Sequence, residues 1–401
     1  MLKRIKNKIK REKKNRKYVI RVAEAAGWST RYAEKRMKSA KAKYGTKYRE
    51  YLVGKLYTYP EDKEKTGYDA YLKRVAMKAA KEEMYINFIM EASGWEKDYA
   101  VEQTKKAWKR NGISTELFAV YKFWQVPEEK WGTYFSKGDV NDLRKKYNKD
   151  EEIVKIFHSK ELFCEKFEKY LGRPWCINEN MSFETFCEKF GKSGKILYKS
   201  PKRSGGKGIF LYEYDENTAE DVYNKVKSKP YGLIEGYFTQ HPEMQKFSLK
   251  SVNTLRVGTI VSYDDIPGTV NGKVNIVYIG FRMGAGDSFV DNLHSNGIIA
   301  DVDVNTGEVI TDGVDFKNTV FKRHPDTGEP IKGFKIPYFE EMKTMIEEAG
   351  DEIEGYYGWD VAIGEKGPVI IEVNTNAGPT ALQAAYVPEN KGMRYVIEKY
   401  L

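Results

Sequence analysis

Hydrophobic and polar positions follow two rhythms along this 401-residue chain. Up to about residue 150 the chain reads as helices. Past Gly194 the apolar residues fall into short alternating or continuous runs bounded by Gly, Pro, Asn and Asp, which is how strands look. The predicted strands are 196–199, 209–214, 233–234, 254–262, 274–282, 357–363 and 369–373. Helices are predicted around Lys160, over 183–190 and over 337–349, the last of these separating the final two strands from the others. The order implies an all-α N-terminal part, residues 1–150, followed by a mixed α+β body with largely antiparallel pairing.

The helical part carries an internal repeat. Laying residues 23–63 over 90–130 without a gap puts Gly27-Trp28 on Gly94-Trp95, Tyr32-Ala33 on Tyr99-Ala100, Gly45 on Gly112 and Pro60-Glu61 on Pro127-Glu128. Aromatic positions also coincide, Tyr51 with Phe118 and Tyr57 with Trp124. Each unit reads helix, Gly break, helix, Pro-Glu turn, and two such hairpins can bury their aromatic faces on one another. A scaffold or collar around a substrate is the role this predicts.

Charge divides the chain at the same place. The net charge is +10, but residues 1–50 hold 19 Lys/Arg against 4 Glu, so the remainder is about −5. A basic head on a mildly acidic body suits an acidic partner such as anionic lipid, nucleic acid or a charged polymer, and equally suits a solvated helix face. Residues 1–17 place Leu2, Ile5 and Ile9 at helical spacing among lysines and arginines, compatible with a basic helix lying on an anionic membrane surface. No run approaches the length of a membrane span and the N-terminus lacks the apolar core of a secretory signal, so a cytoplasmic protein with peripheral membrane contact is expected, and no specific nucleic acid. Cys164, Cys176 and Cys187 make no CxxC pair and there are four histidines, which argues against zinc and for reduced thiols.

Two sites carry chemistry. In the first, the predicted strands 196–199 and 209–214 flank Ser204, Gly205, Gly206, Lys207 and Gly208. Glycines let successive N–H groups converge on phosphate oxygens, and Lys199 and Lys207 add charge there. A P-loop and a dinucleotide fingerprint both fail, since a strand and not a helix follows. What remains is a Gly-rich hairpin over a triphosphate, or an ordinary turn. In the second site two strands joined by Gly364-Glu365-Lys366-Gly367 bring Asp360 near Glu372 if they pair antiparallel, and Asn374 projects to the same face as Glu372. Such oxygens suit Mg²⁺ held together with substrate phosphates; a structural salt bridge is the plainer alternative.

From about His158 to the C-terminus these sites together resemble the ATP-grasp superfamily. The stretch Ile371-Glu372-Val373-Asn374-Thr375-Asn376-Ala377-Gly378 resembles its closing metal motif. Ser251-Val252-Asn253-Thr254-Leu255-Arg256, Gly280-Phe281-Arg282 and Asp291-Asn292 before Gly297 are similar to the sugar-transfer-associated ATP-grasp family, a group connected with bacterial surface polysaccharides. The resemblance implies an ATP-grasp fold, two α+β lobes sandwiching ATP, as residues 151–235 and 236–401. It implies ATP binding by Lys160, Lys199, the Ser204–Gly208 segment, and the hinge Glu235, Gly236, Tyr237 and Phe238. It implies Mg²⁺ (or Mn²⁺) on Asp360, Glu372 and Asn374, and catalytic Arg256, Arg282 and Lys199 around the transferring phosphoryl group. The reaction implied joins a carboxylate, of a sugar acid or peptide, to an amine through an acyl phosphate in a polysaccharide or related pathway. A kinase of the same fold shares this machinery, with Asp287, Asp291 and His294 as candidates for orienting a hydroxyl; a basic binding protein without activity is the remaining alternative. No Rossmann-like domain precedes the grasp, so the acceptor site does not carry over from larger ligases.

Overall fold

The computed structural model describes residues 67–200, 208–248, 250–288, 291, 293 and 297–401. The basic segment 1–17, the first repeat unit and Ser204, Gly205, Gly206 and Lys207 therefore lie outside the described residues, as do Asn292 and His294. The chain divides into two compact units, Met1–Glu91 and Ala92–Leu401. Of the first, what is described is helix α1 (Gly67–Ser93), which runs into the second.

The second unit begins with a helical layer: α2 (Lys97–Asn111), α3 (Thr115–Val120), α4 (Lys137–Tyr147) and α5 (Glu151–His158). Their starts are written locally. Ser114 caps α3, Asp150 caps α5, and Ser136 and Asp139 form a capping box on α4. Aromatics of this layer bury together: Phe118, Phe123 and Trp131 lie with ring centroids 5.4–5.9 Å apart.

Two antiparallel sheets follow. The smaller has the order β1-β4-β2-β3, from β1 (Trp175–Ile177), β2 (Gly194–Lys199), β3 (Ile209–Tyr214) and β4 (Leu233–Gly236). Helices α7 (Phe183–Phe190) and α8 (Ala219–Lys227) cover one side through Phe186, Val222 and Val226. The larger sheet has the order β11-β10-β5-β6-β7-β8-β9. Its strands are β5 (Thr254–Val261), β6 (Asn275–Met283), β7 (Ile298–Val302), β8 (Gly313–Asp315), β9 (Val320–Phe321), β10 (Gly355–Gly364) and β11 (Gly367–Asn374). One face packs on α5, α6 (Lys160–Lys166) and α10 (Phe339–Gly350) through Phe157, Phe167, Met342, Ile346 and Trp359. A short helix α9 (Pro242–Gln245) links the sheets. The opposite face is crossed by the segment leading to α11 (Thr380–Gln383). Room for it comes from glycines: a Cβ on Gly280 would stand 2.9 Å from the Ala381 carbonyl, and one on Gly358 2.7 Å from the Ala377 Cβ.

The helical layer is fastened to that crossing segment and to the strands beneath it. Asn148 exchanges hydrogen bonds with the backbone of Tyr356, donating to its carbonyl at 3.1 Å and accepting from its N–H at 2.8 Å. The Phe135 N–H donates to the Gln383 Oε1 at 3.3 Å, and the Tyr147 hydroxyl to the Tyr400 carbonyl at 2.7 Å. Among the described residues no helix is long and apolar enough to cross a membrane.

Candidate active site

Register decides what the large sheet displays. β10 and β11 pair so that Asp360 faces Glu372 and Gly358 faces Asn374. On its other side β10 sets Asp360 against Arg256 of β5; Arg256 in turn faces Gly280 of β6, and Gly280 faces Asp301 of β7. Residues opposite one another across antiparallel strands share a face, so one transverse row reads Glu372, Asp360, Arg256, Gly280, Asp301. Arg282, two residues past Gly280 and opposite Thr254, belongs to the same face. The register slips by one residue where Ile371 enters β11, a bulge that lets Glu372 stand at the rim while Ile370 stays in the core.

The charges on this face are tightly matched. Arg256 grips Asp360 bidentately, Nε to Oδ1 at 2.5 Å and Nη2 to Oδ2 at 3.0 Å, and Arg282 Nη2 reaches Oδ2 at 3.2 Å. Burial alone would push the Asp360 carboxyl up, but the two guanidiniums outweigh it and hold the pKa at about 2. Arg282 also donates to the Thr254 hydroxyl at 2.7 Å and lies 3.5 Å from Asp291, a buried carboxylate that accepts from the Thr254 N–H at 3.0 Å. Burial raises the pKa of Asp291 despite these partners. Glu372 is in the opposite situation. It reaches solvent and has no cationic partner among the described residues; crowding by the surrounding atoms, then the charge of Asp360, raises its pKa. Asn374 Nδ2 donates to Glu372 Oε1 at 3.1 Å and approaches Asp360 Oδ2 at 3.5 Å.

Asp360, Glu372 and Asn374 therefore converge, and their chemistry fits a hard divalent cation. Two adjacent carboxylates repel one another, Glu372 is the one left open, and a turned Asn374 amide presents its oxygen in place of its nitrogen. Among the described residues no group of three or more His, Cys, Asp and Glu forms elsewhere to hold a metal, and this site offers two carboxylates only.

The second cluster lies in the small sheet. Lys199, at the end of β2, pairs with Glu235 of β4, and Glu235 also accepts from Arg173 Nη2 at 2.7 Å. Burial pushes the Glu235 carboxyl up, and Arg173 and Lys199 bring it down to about 2. The Glu235 side chain is thus engaged in a buried ion triad with Lys199. Arg173 was not singled out from the sequence. It follows Gly172 and precedes Pro174, an unremarkable turn, and only the fold brings it to Glu235 and, through Nη1, to within 3.4 Å of the Ile370 carbonyl on β11. Tyr237 is exposed, while Phe238 packs its ring at the β10–β11 turn, 3.0 Å from where a Gly364 Cβ would be. Lys160 opens α6 behind its cap Ser159 and has no carboxylate partner among the described residues. Gly208 adopts φ +83°, the left-handed region, just before β3. Of the hydroxyl-orienting candidates, Asp287 is fully exposed and pairs with Lys250 at 2.5 Å, whereas Asp291 borders Arg282. Burial pushes the Cys164 thiol up to about 12 and Cys176 to about 11, so neither is a ready thiolate.

Residues 184–399 match the model of a family described as sugar-transfer associated ATP-grasp. No curated protein matches the chain. Among solved structures, it is similar to N5-carboxyaminoimidazole synthetase from Staphylococcus aureus complexed with ADP, at 10% identity and a TM-score of 0.34, over 56% of this chain and 46% of that one. Similarity extends to the ATP-grasp ligase PsnB complexed with a minimal precursor, at 11% identity and a TM-score of 0.35, over 63% and 64%. D-alanyl-alanine synthetase A from Vibrio cholerae O1 is similar at 13% identity and a TM-score of 0.35, over 61% and 64%. The chain thus spans between 46% and 64% of the length of these structures.

Proposed function

Because the chain belongs to the sugar-transfer associated ATP-grasp family, we propose that it is an ATP-dependent carboxylate–amine ligase acting through an acyl phosphate. The observation that carries this reading is the convergence of Arg256, Arg282, Asp360, Glu372 and Asn374 on one face of the large sheet, with Glu372 at its exposed rim. A divalent cation, Mg²⁺ or Mn²⁺, held by Asp360, Glu372 and Asn374 supplies neutralisation of the ATP phosphates. Lys160 and Lys199 add positive charge along the nucleotide, and the segment holding Ser204, Gly205, Gly206, Lys207 and Gly208 offers backbone N–H groups to it. Gly236, Tyr237 and Phe238 form the wall against the base. Asp360 fixes the two guanidiniums in place beforehand, so Arg256 and Arg282 meet the developing charge on the phosphoryl group and the activated carbonyl without reorganising. The pathway is polysaccharide or related biosynthesis, with a sugar acid or peptide as carboxylate and an amino acid or similar amine as acceptor.

The placement of Asp291 beside Arg282 favours one competing reading, a kinase in which this carboxylate orients a hydroxyl. Hydroxylamine separates the two. Enzyme, Mg-ATP and a panel of sugar acids, peptides and amino acids are incubated with it, and the acid that stimulates ADP release is expected to appear as its hydroxamate by mass spectrometry. A stable phosphate ester with no hydroxamate from that compound would leave the kinase.

The basic residues 1–17 are proposed to hold the enzyme at anionic membrane, each cation near such a surface contributing about 1 kcal/mol. Co-sedimentation with phosphatidylserine vesicles at low salt is expected for the full chain and lost in a chain starting at residue 18; equal pelleting of both would refute the contact.

A further inference from the structure

The helical layer brings two cations to the edge of the site. Lys137 opens α4 and Arg144 lies seven residues, two turns, further on, so both occupy one face of the helix. The Lys137 Nζ donates to the Asn376 Oδ1 at 2.7 Å, and the Arg144 Nη1 approaches the same oxygen at 3.4 Å. One neutral amide oxygen compensates neither charge. Two nearby carboxylates are committed elsewhere: Asp139 serves the α4 cap and pairs with Arg394 at 3.0 Å, and Asp142 pairs with Lys145 at 2.9 Å, while the field of Glu116 supports the charge on Lys137. Among the described residues the Arg144 Nε is buried without a hydrogen-bond partner. Desolvation and the charge of Arg144 both lower the pKa of Lys137, so the pair is held together against its own repulsion.

Its position ties it to the face described above. Asn376 follows Asn374 by two residues, and Ala377 lies over Gly358, beside the Arg256 side chain, whose Cδ stands 3.1 Å from where a Gly358 Cβ would be. The loop itself is braced from the helical layer, His158 Nε2 lying 2.9 Å from the Thr375 hydroxyl and Asn148 Nδ2 3.5 Å from its carbonyl.

We propose that Lys137 and Arg144, with Asn376 between them, bind an oxyanion group, carboxylate or phosphate, carried by the acceptor substrate. The acceptor is then an amine that also bears an acidic group. The assignment of the anion to the acceptor rests on the ligase reading; the existence of the anion site does not.

The full chain saturated with Mg-ADP, which fills the nucleotide's α- and β-phosphate positions and leaves its γ position the same in wild type and variant, is titrated by calorimetry with inorganic phosphate and separately with acetate. Wild type is expected to bind one of them better, which tells phosphate from carboxylate. The Lys137→Met/Arg144→Met variant is expected to lose at least tenfold in that affinity while binding Mg-ADP within twofold of wild type. Lys137→Arg, which keeps the charge, is expected to retain anion binding. Unchanged anion affinity in the double variant, or no binding of either anion to wild type, would overturn the proposal. Should Mg-ADP itself fail to bind, the nucleotide reading falls, and the same anion comparison run without nucleotide still decides the pair. Lys137→Met alone separates a site from a brace: with one of two repelling charges gone, the melting temperature holds or rises, whereas a residue needed only to hold Asn376 lowers it.

Discussion

Asp360 and Glu372 sit side by side with opposite electrostatics, and this makes them separable by mutation. The pKa of Asp360 is held at about 2, below the ordinary carboxylate range, so its ionisation favours the folded state. That contribution is fully present above the ordinary range and is lost as pH falls through about 2. Glu372 has the reverse sign: its folded pKa is raised, so stability is lost as pH rises through that value and its charge opposes folding at neutral pH. Asp360→Asn strands Arg256 and Arg282 and is expected to cost about 3–5 kcal/mol in urea unfolding at pH 7. Glu372→Gln is expected to leave apo stability equal or slightly higher while ADP formation falls by orders of magnitude. A large loss of stability with activity intact would show Glu372 to be structural. At this scale the nearness of Asp360 to Glu372 was legible because a two-residue turn folds β11 back on β10, but the pairing was not: strict register from that turn sets Asp360 opposite Ile371, and the bulge moves Glu372 into its place. Arg173, Lys137 and Arg144 were not, because their partners lie 62, 239 and 232 residues away and nothing local marks them.

At the scale of elements, most strands could be read from the chain: β2, β3, β4, β5, β6, β10 and β11 all lie where short apolar or alternating runs bounded by Gly, Pro, Asn or Asp predict them. The missed ones are β1, β7, β8 and β9. Three of these have two or three residues, too few for a period, and β7 hides the buried Asp301 in an otherwise apolar run. The meaning of the glycines was equally hidden. Gly280 and Gly358 look like interruptions of strands, yet they hold space for the chain crossing above them. Gly280→Val drives a side chain against the Ala381 backbone and is expected to cost about 1–3 kcal/mol. Gly378→Ala, with nothing within 4 Å of the new Cβ, is expected to be neutral in the same unfolding measurement.

At the scale of the whole molecule, the N-terminal helices divide in a way composition could not reveal. Their shared Lys-rich texture suggested one appendage over residues 1–150. From Ala92 onward the described helices instead belong to the same compact unit as the sheets and hydrogen-bond to Tyr356, Gln383 and Tyr400. A chain starting at residue 92 is therefore expected to melt cooperatively within a few degrees of full length. One starting at residue 159 uncovers Phe167 and Trp359 by removing Phe157, and removes the hydrogen bonds of Asn148 to Tyr356 and of Phe135 to Gln383; it is expected to lose its cooperative transition in circular dichroism. A fully folded 159–401 fragment would mean that the helical layer is an accessory after all.

Arg173 has a mechanical consequence. One guanidinium touches Glu235 on the small sheet and the Ile370 carbonyl on the large one, and the turn behind it is wedged against Val369 at Gly172. In a machine such a part is a pin: it removes sliding and leaves rotation. Relative motion of the two sheets would then pivot at this point, and Lys199, which shares Glu235 with Arg173, stands beside the pivot.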